Sequence, residues 1–98
     1  MATFLSSHPF SGVKQIKYEQ LMNTNPQFVK DMEKTEFEEY LKTLERRYRS
    51  RCFELVETFV KQAYEKNPGI EGTGAGYEAI AEATRRAEEI ALQELLDA

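Results

Sequence analysis

The 98-residue sequence predicts an all-α fold, a small bundle of three or four helices built around one long central helix. Three observations carry that expectation. Apolar residues recur every three or four positions over long stretches, no segment alternates with the period of two that a strand requires, and Asn-Pro and Gly-rich junctions separate the periodic stretches.

The opening residues 1–12 mix Phe4, Leu5 and Phe10 with Ser, His, Pro and Gly, and read as an irregular arm. Ser11 is placed to cap a short helix from about Val13 to Met22, whose modest apolar edge is Val13, Ile16, Lys17 and Leu21. Asn25 and Pro26 then start a second helix, with Asn25 as cap and Pro26 at the first helical position, where its missing N–H costs nothing. On one straight helix Phe28, Val29 and Met32 would lie almost opposite Phe37 and Leu41, so a break is expected near Lys34. Thr35 and Glu38 have the spacing of a capping box at the start of the next helix.

That central helix is expected over about 35–66, where nothing interrupts the helical pattern. Phe37, Leu41, Leu44, Tyr48, Cys52, Leu55, Phe59 and Ala63 fall on one face, and Phe53, Val56, Val60 and Tyr64 widen that face to about 180° in the second half. A helix of this length, about 45 Å, exceeds the roughly 34 Å globule expected for a chain of this size. Either the helix bends, or its first half projects with a stripe that another subunit or a partner covers, and the second reading is preferred. The partner-binding candidates are Phe37, Tyr40, Leu41, Leu44 and Tyr48.

Residues 67–76 read as a Gly-rich joint, and a C-terminal helix over about 77–97 is expected to run antiparallel to the second half of the long one. Its contact face is expected to hold Tyr77, Ile80, Ala81, Thr84, Ala87, Ala91 and Leu95, the alanines allowing close approach. Residues 1–98 form one helical domain in this reading.

Composition narrows the function classes. Thirteen basic against seventeen acidic residues give a net charge of −4, which repels polyphosphate and disfavours nucleic acid as a partner. No apolar run is long enough to span a membrane, and the start lacks a secretory signal, so a cytoplasmic location is expected, the host cytoplasm if the chain is viral. A single cysteine, Cys52, and a single histidine, His8, stand far apart, so no metal site, cofactor or catalytic pair is expected. The glycines at 72, 74 and 76 match neither a dinucleotide fingerprint nor a Walker loop. Glu82 with Arg86, and Arg85 with Glu89, have the spacing of surface ion pairs on the last helix.

Two function classes remain. The first is a non-enzymatic protein–protein interaction protein, an adaptor, inhibitor or assembly factor that self-associates as a homo-oligomer or covers a partner through the stripe. The second is a nucleotide- or anion-binding protein in which Arg46, Arg47, Arg49 and Arg51, around Tyr48, clamp phosphate or carboxylate.

Overall fold

A computed structural model describes residues 9–98. It is an all-α bundle in which the long helix and the C-terminal helix pack together. The helices are α1 (Gly12–Thr24), α2 (Pro26–Asp31), α3 (Lys34–Lys66) and α4 (Gly74–Asp97), with no strand among the described residues. No helix among those residues is long and apolar enough to cross a membrane. Phe4, Leu5 and His8 of the arm lie outside the described residues. The chain divides into two compact units, one reaching to Arg47 together with Ala98, the other Tyr48–Asp97.

The first unit is built on aromatic packing. The rings of Phe10, Tyr18 and Phe37 meet at centroid distances of 5.3 to 6.1 Å, while Phe28 lies edge-on to Tyr40 at 5.4 Å. The Asn25 side chain accepts the Phe28 N–H at 3.3 Å, with Pro26 next to it, so the second helix starts where the sequence places it. α2 ends at Asp31 and extended backbone at Met32 supplies the expected break. Two local expectations differ. Ser11 precedes α1 but its side chain makes no cap hydrogen bond. Thr35 is already the second residue of α3, and the Phe37 N–H bonds to the Glu33 carbonyl at 2.8 Å, so Thr35 and Glu38 are out of register for a capping box.

The face that α1 buries is more polar than its sequence suggests. Gln15 and Lys17 are buried, whereas Ile16 is exposed. Gln15 Oε1 accepts the Phe10 N–H at 3.1 Å, and Lys17 Nζ donates to the Ala98 carbonyl at 3.0 Å. A lysine this deep can pack its four-carbon stem as apolar surface only if its ammonium finds an acceptor, which Ala98 provides.

In the second unit α3 and α4 run antiparallel, because Arg51 pairs with Glu94 while Phe59, further along α3, meets Arg86, further back on α4. The buried seam of α4 is Ala83, Ala87, Ala91 and Leu95, each 5% exposed or less, facing the side of α3 that buries Leu55. Ala87, Ala91 and Leu95 lie on the contact face as expected. Tyr77, Ile80 and Ala81 do not: they are exposed, Tyr77 at 68%. Repetition at every fourth residue puts alanine at three successive seam positions, closes the seam with Leu95, and turns Tyr77 and Ile80 outward.

The turn explains why α4 begins at Gly74 and not at Tyr77. Gly69 and Gly72 take left-handed backbone, with φ of 95° and 79°. The Ile70 carbonyl then accepts both the Thr73 N–H and the Thr73 hydroxyl, while Thr73 Oγ1 accepts the Gly76 N–H at 3.2 Å as a cap. Gly76 is buried beneath this turn, and a Cβ there would collide with the Ile70 carbonyl oxygen. Residues 74–76 are thus the first turn of a helix, and only residues 67–73 connect the two helices.

Gly76→Ala should therefore destabilise the chain by about 1–3 kcal/mol, the usual range for forcing volume into a packed site. Gly74→Ala, with nothing within 4 Å of its Cβ position, should stabilise by about 0.4–1 kcal/mol. Urea denaturation followed by circular dichroism separates the two.

Candidate functional site

The stripe expected to await a partner is covered from within its own chain. Phe37, Leu41 and Leu44 are 5%, 1% and 4% exposed, and Tyr40 is half-buried against Phe28 and Phe37. The sequence did not show where α1 and α2 pack; their aromatic residues Tyr18 and Phe28, with Phe10, meet Phe37 and Tyr40. Phe37, Leu41 and Leu44 therefore present little surface of their own, and Tyr40 presents part of its ring. Tyr48 lines an open groove.

Uncovered apolar surface occurs instead in the second unit, along one flank of the α3–α4 hairpin. Two shallow grooves meet there at Val56. One, of about 610 Å³, is lined by Val56, Val60, Tyr64 and Ile80, with Glu57, Lys61 and Glu65 along its rim. The other, of about 370 Å³, is lined by Tyr48, Cys52, Phe53 and Thr84, among others. Phe53 is 69% exposed, and Ile80 and Tyr77 are also open to solvent. On the other flank Arg86 sits over the Phe59 ring at 4.2 Å, and the groove beside it mixes Glu78, Glu82 and Asn67 with alanines. The hairpin thus has one polar flank and one apolar flank.

The signal for this site was already in the sequence, in the widening of the α3 stripe at Phe53, Val56, Val60 and Tyr64. Angular width shows that the helix has more than one apolar side, but not which side its neighbours cover.

Arg51 is engaged by carboxylates of its own hairpin. Arg51 Nε donates to both Glu94 carboxylate oxygens, at 2.9 and 3.2 Å, and its guanidinium lies 3.8 Å from Glu54. Arg49 and Arg51 are two residues apart on a helix, hence about 200° apart around its axis. Arg46 and Arg47 are exposed on the first unit, where Arg47 partly offsets the upward shift that burial gives the Tyr40 phenol. On α4, Arg85 pairs with Glu82 at 3.3 Å and Arg86 turns to Phe59, in place of the four-apart pairs expected.

Tyr48 and Cys52 form a hydrogen-bonded pair in the apolar flank. Burial, with the Cys52 contact and the nearby Glu88 charge, pushes the Tyr48 phenol up to about 12. Burial also raises the Cys52 thiol, and Glu88 adds to the rise, against an opposing hydrogen bond from Tyr48. A thiol held protonated is a poor nucleophile. Among the described residues no group of three or more His, Cys, Asp or Glu side chains is placed to hold a metal ion.

The phenol shift fixes a pH dependence. The folded chain favours neutral Tyr48, so this contribution to stability is complete below the ordinary value of 10.0 and is lost as pH rises through about 12. Denaturation midpoints should fall between about pH 9 and about pH 12, and Tyr48→Phe should make that fall shallower.

Comparison with protein-family models, curated proteins and solved structures finds no match to this chain.

Proposed function

We propose that this chain is a non-enzymatic, cytoplasmic protein–protein interaction module, of the adaptor, inhibitor or assembly-factor kind, and that it binds through the apolar flank of its α3–α4 hairpin. The observation that carries the reading is the continuous strip from Tyr48 to Tyr64, centred on Val56, on which Phe53 is 69% exposed. A small chain gains nothing in its own stability from a phenylalanine left in water, and contiguous apolar patches of this kind mark interaction sites. The charged rim of Glu57, Lys61 and Glu65 beside apolar walls has the layout of a binding surface, with a greasy centre and a polar edge.

Phe53→Glu is the direct test. Because the side chain is so exposed, its replacement should alter stability by no more than about 0.5 kcal/mol, yet it should abolish association, measured by sedimentation and by copurification from cells. Leu41→Ala supplies the contrast, since that side chain is buried and its loss should cost about 2–5 kcal/mol. If the wild-type chain neither self-associates nor copurifies with another protein, or if Phe53→Glu leaves its complexes intact, the reading fails.

A further inference from the structure

Resting on that reading, we propose that the occupant of the apolar flank is a second copy of the same chain, its hairpin laid face to face and antiparallel on the first, so that two hairpins complete a four-helix bundle. The flank is complementary to itself in one orientation. A two-fold axis lying in the contact plane and perpendicular to α3 reverses the helix direction and sets each flank of α3 against the same flank of its copy. If that axis crosses α3 at the level of Thr58 and Phe59, Phe53 of one copy meets Tyr64 of the other, and Val56 meets Val60. On the outer rim Glu57 then meets Lys61 of the second copy, twice by symmetry.

Glu57 and Lys61 suit this role. Both are exposed and line the rim of the groove. They stand four apart on one helix in the order that favours an internal pair, but no ion pair joins them; the acidic partners that basic side chains find in this hairpin are Glu54, Glu82 and Glu94.

The antiparallel alignment of the hairpin carries the axis across to α4. Arg51 lies level with Glu94 and Phe59 with Arg86, so the level of Thr58 and Phe59 on α3 is that of Arg86 and Ala87 on α4. Reflected about that level, Glu88 of the groove wall in one copy comes level with Arg85 of the other, and Ile80 with Gln93.

Area is consistent with a dimer that depends on concentration. The axis sets the stretch from Phe53 to Tyr64 against itself, about 17 Å, and two helices side by side are about 20 Å wide, so the matched face covers about 340 Å² per copy. Two such faces total about 700 Å², below the size of stable interfaces and suited to a weak dimer that forms at high concentration. Over that stretch the second copy brings apolar and charged groups into register.

The test uses the full chain. Sedimentation equilibrium over a concentration series should show the mass rising from 11.4 kDa to twice that value. Glu57→Lys and Lys61→Glu should each weaken the dimer about tenfold, through lost attraction and new repulsion, and the double exchange should restore it to within about threefold. In a Cys52→Ser background, a Phe53→Cys chain mixed with a Tyr64→Cys chain should cross-link through a short bis-maleimide, whereas neither chain alone should. A dimer whose charge exchange gives no rescue, or in which Phe53→Cys cross-links to itself, overturns the antiparallel arrangement. A wild-type chain that stays monomeric while Phe53→Glu abolishes its binding to a different protein overturns the second copy as occupant and leaves the interaction reading standing. A monomer with no binding for Phe53→Glu to remove overturns both.

Discussion

The close approach of α4 to α3 along an alanine seam governs the rest of the second unit. Ala83, Ala87 and Ala91 repeat every fourth residue and are almost completely buried, so they let the two backbones come near each other. Alanine methyls, however, have little surface with which to cover anything beside them. The larger apolar residues of α3 that flank the seam, Val56, Val60 and Tyr64, are left with their outer sides open. A helix with leucines in the seam would stand further off and shelter more of its neighbour. Tight packing and an uncovered flank are two results of one choice of residue.

The two halves of α3 solve the same problem differently. In its first half, Phe37, Leu41 and Leu44 are buried, and the rings of Phe10, Tyr18 and Phe28 are what the chain brings to that part of the helix and its neighbour Tyr40. Aromatic side chains carry large apolar area per residue, which suits Phe10 and the rings of two short helices to packing on Phe37 and Tyr40. Lys17 joins them because its stem is apolar and its charged end reaches the Ala98 carbonyl.

Helix positions were legible from local chemistry because breaks and caps are local events. Asn25 and Pro26 mark the start of α2, and the pattern from Thr35 onward marks α3. The start of α4 was less legible, since glycine at 74 and 76 reads as a joint until the Ile70 carbonyl is seen to occupy the space a Cβ would need. Which stripe stays open was not legible at all. Periodicity reports that Phe37 and Phe53 both belong to apolar faces, but burial depends on where α1, α2 and α4 end up. That is a matter of contacts between residues distant in sequence, and neither stripe carries a local mark of its cover. The same limit applies to Arg51, whose partner Glu94 is 43 residues away.

The Thr73 turn also bears on how the hairpin assembles. Because the Ile70 carbonyl, the Thr73 side chain and Gly76 are neighbours along the chain, the bend forms by closing a short loop, an event on the order of 10–100 ns. Each successive alanine of the seam then closes only a slightly larger loop than the one before, so the helices can zip outward from the bend to Arg51 and Glu94. In that order of closure, substitutions near the bend act on the folding rate and those near the far end on the unfolding rate.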